Sequence, residues 1–172
     1  EERGLQQDVA RLVQVALHQP AQGLEHSLRP PRVADVSVVV ARAPIVAFIE
    51  DHCFPARNWA EKLIEAHTGP WAAVGYAFTN ANPKSYLSRA AMLARYGLFT
   101  HPAQGGLARY ISGNNVSYKR DILLKLGERL ETLLDIDFNL QEELVRQKRP
   151  MFVEARALAA HQNYISLAGE CR

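Results

Sequence analysis

Cysteine is scarce in this sequence: its 172 residues include two, Cys53 and Cys171, far apart and without C-x-x-C spacing. That argues against a zinc knuckle, a thioredoxin-like centre or a disulfide framework, and makes a reducing compartment the default. Charge of one sign is also lacking. Twenty Lys and Arg stand against 18 Asp and Glu, a net +2, so no strong field draws nucleic acid or anionic lipid. No apolar run approaches the ~20 residues of a bilayer span. The opening residues EERGLQQD do not have the pattern of a signal peptide. The chain reads as soluble and cytoplasmic, with a position at the inner face of a membrane left open. No internal repeat or low-complexity tract is visible. What is present is a hydrophobic content of 48%, enough to fill the core of one domain and to exclude disorder.

Leu5, Val9, Leu12, Val13, Ala16 and Leu17 recur at helical spacing before Pro20 and Gly23, so an amphipathic helix is expected over residues 5 to 18. Residues 21 to 32 contain Gly23 and the Pro30-Pro31 pair and read as a linker or loop. Val36 to Val40 and Ile45 to Ile49 are nearly continuous β-branched runs, as in strands buried on both faces. Ala41 to Pro44, between them, is too short for a parallel crossover, which leaves a hairpin or a gap in the sequence. After Pro55 a helix carries Trp59, Leu63, Ile64 and His67 on one face and stops at Gly69-Pro70; a strand follows over Trp71 to Phe78. Asn82-Pro83 opens a helix whose Tyr86, Leu87, Ala90, Leu93 and Ala94 are expected to pack inward. A glycine-rich loop at 104 to 115, a strand through Val116 and Tyr118, short helices at Asp121 to Leu126 and around Phe138 to Val145, and a strand at Met151 to Ala155 complete the pattern. Alternating strands and helices imply an α/β layered domain with a mainly parallel or mixed sheet.

Glu50-Asp51-His52 directly follows the strand IVAFI, at its C-terminal end, where open α/β sheets bind ligands. Carboxylates suit Mg²⁺ or Mn²⁺ and imidazole tolerates Mn²⁺. A solvated turn at a strand end would use the same residues. Gly113 permits a close backbone approach to a ligand, and Asn114 or Asn115 can bond hydroxyl groups, although Gly and Asn also make plain turns. His18, His26, His67 and His101 read as surface or capping residues, and Trp59 and Trp71 as core. Arg89, Arg95, Arg109, Lys119 and Arg120 include candidate phosphate partners, but no spacing selects one.

Ala43 to His52, with Pro55 and Trp59 after it, resembles the strand and acidic motif of family-2 glycosyltransferases of the GT-A fold. Ile111 to Arg120 resembles the glycine-asparagine segment of that family. Leu134 to Leu140, then Leu144 and Met151-Phe152-Val153, resembles the acidic segment that opens the helix of the catalytic base, and His161 stands at the family's late histidine. Four motifs in order over residues 43 to 161 are more specific than any one of them. The resemblance implies a GT-A-like mixed sheet flanked by helices. It also implies an inverting, metal-dependent transfer of sugar from a nucleotide-diphosphate donor to a glycan, lipid or other acceptor hydroxyl. Asp51 would anchor the metal (Mg²⁺ or Mn²⁺) and the diphosphate, with His52 and His161 as further ligands. Glu50 would turn toward the ribose or sugar of the donor, and Gly113, Asn114 and Asn115 would line the donor and acceptor site. Such a transfer needs a divalent cation against the leaving diphosphate and a base for the acceptor hydroxyl. Asp135 matches the base and Asp137 is the alternative. His52 stands where the motif often has a second carboxylate, and Leu134 where it commonly has glutamate.

On this reading residues 1–172 form a single glycosyltransferase-like domain. Residues 1–42 are the remnant of an N-terminal nucleotide-binding half that is truncated or gapped, and 43–165 are the acidic-motif and acceptor part. The implied partners are a nucleotide-diphospho-sugar and a glycan or lipid-linked acceptor. Peripheral membrane association is left open, no nucleic acid is expected, and the oligomeric state is unread. The alternative is a non-catalytic remnant of the fold, or a sugar- or nucleotide-binding module, because the segments that would bind the base are not recognisable. A metal-dependent phosphohydrolase on the same carboxylates is a third class, which fold kinship alone does not separate.

Overall fold

The computed structural model describes residues 38–113, 115–134 and 138–164, together with the backbone of residues 13–18. Among the described residues seven strands form one mixed sheet: β1 (Val13–His18), β2 (Ile45–Glu50), β3 (Cys53–Pro55), β4 (Ala73–Asn80), β5 (Gly106–Ala108), β6 (Val116–Lys119) and β7 (Met151–His161). Their order is β1-β2-β6-β4-β7-β3, with β5 on β7. β1 runs parallel to β2 and β4 parallel to β7, while β6 lies antiparallel between β2 and β4. Helices α1 (Trp59–His67), α2 (Tyr86–Tyr96), α3 (Arg120–Leu124), α4 (Arg129–Leu134) and α5 (Asn139–Arg146) flank the sheet. The chain is thus a mixed α/β structure. No described helix is long and apolar enough to cross a membrane.

β2 is buried along its whole length, as its continuous apolar sequence requires. Successive side chains of a strand point to opposite faces, so β2 feeds two cores. Val46 and Phe48 pack with Tyr118, Leu123, Leu140 and Leu144. Ile45, Ala47 and Ile49 pack with Trp59, Leu63, Tyr76 and Met92. The first core is closed by α3 to α5 and the second by α1 and α2. β7 departs from regular pairing: Tyr76 faces Glu154 but Ala77 faces Leu158, so Ala155, Arg156 and Ala157 bulge out of the ladder. Arg156 folds back to hold buried Glu154 through Nε and Nη2, both at 2.8 Å. Beyond the bulge the register resumes and carries β7 on to His161.

Several local expectations are overturned. Residues 13–18 form a strand rather than the end of a helix over 5 to 18; residues 5–12 lie outside the described part. Val13, Val15 and Leu17 also satisfy a period of two, and the edge of β2 offers a ladder to pair with. The expected strand at 36 to 40 is helical over residues 38–40. Accordingly β2 makes no hairpin with it: its neighbours are β1 and β6. On α2 the inward face is Ser88, Ala91, Met92 and Tyr96, whereas Tyr86, Leu87, Ala90, Leu93 and Ala94 face solvent. The inward face is set by polar anchors. Ser88 Oγ lies 2.8 Å from Asn82 Oδ1, and the Tyr96 hydroxyl donates to Glu50. His67 is buried and not a surface cap.

Candidate functional site

Glu50 is the last residue of β2 and sits at the centre of a buried polar cluster. Four strands and a helix place the members of this cluster, and each arrives by a different route. Asn115 immediately precedes β6, whose antiparallel register sets Val116 opposite Phe48. Its Oδ1 therefore accepts the Glu50 backbone N–H at 3.1 Å while its Nδ2 donates to Glu50 Oε2. The Tyr76 hydroxyl, from β4, has two acceptors within reach of its one proton, the Phe48 carbonyl at 3.1 Å and Asn115 Oδ1 at 3.2 Å. Tyr96, at the end of α2, donates its hydroxyl to Glu50 Oε2 at 2.6 Å. Cys53 begins β3, paired directly with His161 of β7, and its thiol donates to Glu50 Oε2 at 3.9 Å.

The electrostatics follow from this geometry. Burial by itself raises the Glu50 pKa, but the close approach of the His161 ring and the hydrogen bonds from Tyr96 and Asn115, with His52 nearby, outweigh it and hold the carboxyl well below its ordinary value. Glu50 is a buried anion. Burial and that anion push the Cys53 thiol and the Tyr96 hydroxyl above their usual values, so both stay protonated as donors.

His161 completes the cluster. Its Nδ1 lies 3.0 Å from Asn163 Oδ1, and the Asn163 amide nitrogen faces the His161 carbonyl at 3.2 Å, which fixes the Asn163 oxygen toward the ring. The ring therefore donates from Nδ1. Its Nε2 is buried, lies 3.4 Å from Glu50 Oε2, and makes no hydrogen bond among the described residues. A lone pair facing a carboxylate oxygen is satisfied by a cation held between them or by a proton on Nε2. Ligand atoms of Glu50, Cys53 and His161 all lie within 4.8 Å of one another. A carboxylate, a thiol and an imidazole form a donor set for a borderline-soft divalent ion.

Asp51 and His52 stand on the solvent side of this cluster. Asp51 is exposed and its Oδ1 lies 2.8 Å from His52 Nδ1. The half-buried His52 ring meets the His161 ring edge-on, with centroids 4.6 Å apart. Asp51, His52, His161 and Glu50 thus run in sequence from water into the interior. The expected metal residues Asp51, His52 and His161 are neighbours, and Asp51 reaches the buried part through His52. Glu50 is turned inward onto Asn115, Tyr96 and His161, although the resemblance aims it at a donor. Gly113 is half-buried, and Asn115 is a buried support of Glu50. Asn114, Asp135 and Asp137 lie outside the described residues.

The glycine-asparagine loop is tied to α5, the helix after Asp135 and Asp137. Gln141 is fully buried; its Oε1 accepts the Ile111 N–H at 2.9 Å and its Nε2 donates to the Ile111 carbonyl at 2.8 Å. Sequence reasoning missed Cys53, Tyr96, Tyr76, Asn163 and Gln141. Cys53 adjoins the Glu50-Asp51-His52 run and was open to suspicion. The other four carry no local signal, since only the tertiary arrangement of distant strands and helices brings them in.

No known family's model matches the sequence, and no curated protein matches it. Among solved structures, a crystal structure of a mycobacterial protein is similar at 16% identity with a TM-score of 0.48, over 84% of this chain and 48% of that chain. The chain spans about half the length of that structure.

Proposed function

We propose that this chain is the catalytic and acceptor side of an inverting, metal-dependent glycosyltransferase with a GT-A-like sheet, which moves sugar from a nucleotide-diphosphate donor to an acceptor hydroxyl. The observation that carries the reading is the convergence on one carboxylate. Glu50 of the acidic motif bonds Asn115 of the glycine-asparagine segment and faces His161 of the late-histidine position. The fourth motif is linked to the second through the grip of Gln141 on Ile111.

Glu50 acts here as a positioning residue. Buried and anionic, it fixes Asn115 and faces the His161 ring, and it presents no free face to a substrate. Asp51 is the carboxylate exposed at the strand end, open to a diphosphate arriving from solvent. With His52 and His161 it would hold the divalent cation, which when bound neutralises charge on the departing diphosphate as a Lewis acid. The His161 Nε2 faces Glu50 Oε2 at 3.4 Å, so a cation bound there would also meet Glu50 and Cys53. Asp135, or Asp137 in its place, would take the proton of the acceptor hydroxyl as that oxygen attacks the anomeric carbon.

The test is to titrate the purified chain with Mn²⁺ and a panel of uridine and guanosine diphosphate sugars. Metal-dependent donor binding is expected, lost in Asp51→Asn while the unfolding midpoint stays unchanged. Folded wild-type chain that binds no donor with Mn²⁺ present would reject the reading and favour the non-catalytic alternative. Phosphate release without acceptor would identify a hydrolase instead.

A further inference from the structure

Helix α2 is apolar on both sides. Its inner face, Ser88, Ala91, Met92 and Tyr96, is used by the fold. Its outer face carries Tyr86 at 76% exposure, Leu87 at 36% and Leu93 at 66%, and Leu98, just past its end, is 87% exposed. One exposed leucine needs no explanation, but a row of large apolar side chains along a helix of about 16 Å does. The charge carried by this stretch of the sequence has one sign. From Ala66 to Arg120 the sequence contains no Asp or Glu, while Lys84, Arg89 and Arg95 fall just before and within the helix. The Arg89 guanidinium lies 5.7 Å above the Tyr86 ring and that of Arg95 lies 5.3 Å above Tyr164.

We propose that this outer face of α2 docks on an anionic lipid bilayer. Leucines on such a face leave water among the acyl chains, while tyrosine rings and guanidinium groups settle at the level of the phosphates. A polyanion without an apolar phase would meet the arginines and leave the leucines in water. The chain's net +2 conceals this segregation, because the acidic residues lie elsewhere in the sequence. On the inner side of the same helix, Tyr96 touches Glu50, so docking brings the buried cluster to roughly one helix diameter, about 10 Å, from the membrane surface. The proposal does not depend on the transferase reading, and its assay does not measure catalysis.

The full 172-residue chain is sedimented with vesicles of phosphatidylcholine alone or doped with phosphatidylglycerol. Binding is expected to the anionic vesicles only, and to weaken as salt shortens the screening length. Neutralising two charges, Lys84→Gln with Arg89→Gln, should weaken it about 30-fold, at about 1 kcal/mol per basic residue. Leu93→Asp with Leu98→Asp should abolish it, and exposed positions leave the unfolding midpoint unchanged. The proposal fails if wild type ignores anionic vesicles, or if the leucine pair can be replaced without loss. It also fails if light scattering finds a wild-type dimer that the aspartates dissociate while vesicles go unbound, since the face would then meet a second copy.

Discussion

Replacing His67 by glutamine should remove an acid-sensitive component of stability. His67 closes α1 inside the second core, and its Nε2 lies 2.9 Å from Ser117 Oγ. That hydroxyl donates to the Val74 carbonyl at 3.0 Å, so it accepts from the ring and the proton sits on Nε2. Nδ1 is buried, with no hydrogen-bond partner among the described residues. A second proton would therefore go onto a dry, unpartnered nitrogen. Burial, helped by the nearby Lys119 charge, lowers the pKa from 6.5 to about 4. The unfolded chain takes up this proton below pH 6.5, and the folded chain not until pH 4. The contribution is therefore complete above pH 6.5 and is lost as pH falls toward 4. The loss is about 2 kcal/mol at pH 5 and about 3 kcal/mol in full, from 1.36 kcal/mol per pH unit. Urea unfolding between pH 7.5 and 4.5 reads it directly. His67→Gln keeps an N–H donor for Ser117, so the variant should show a shallower fall across that range. An identical fall in both proteins would refute the reasoning.

Other substitutions test the cluster and its supports. A Cβ on Gly75 would stand 2.8 Å from the Ile111 Cβ, so Gly75→Ala should cost roughly 1–3 kcal/mol by urea unfolding. Gln141→Leu strands the Ile111 N–H and carbonyl in the core; a loss of about 2–4 kcal/mol is expected in thermal or urea melts. Glu50→Gln turns an amide nitrogen or a neutral oxygen toward three donors, and should destabilise by about 2–4 kcal/mol even without any ligand. A Glu50→Gln protein as stable as wild type would mean that the cluster contributes nothing to folding.

Strands with long unbroken apolar character were legible because full burial leaves one composition: Ile45 to Ile49 announced β2 without any knowledge of its neighbours. The same held for α1, β4 and the existence of α2, whose caps and stops are local. Which side of α2 faces inward was not legible. Its leucines follow helical spacing, but the inward side is the one with Ser88 and Tyr96, whose partners Asn82 and Glu50 belong to other segments. Val13–His18 was misjudged because a short apolar run satisfies both periods, and the choice between them is made by an available strand edge.

What the sequence determined by itself is the α/β alternation, the buried strand of the acidic motif, and the list of polar groups available for chemistry. All of these depend on residues near one another in the chain. Only the tertiary structure decided that Glu50 is an interior anchor rather than a solvent-facing ligand, and that Cys53, Tyr96 and His161 surround it. The physical reason is register: the pairing of Cys53 with His161, recovered after the bulge at 155–157, sums ladder and packing energies over the whole sheet. No window of sequence contains that sum.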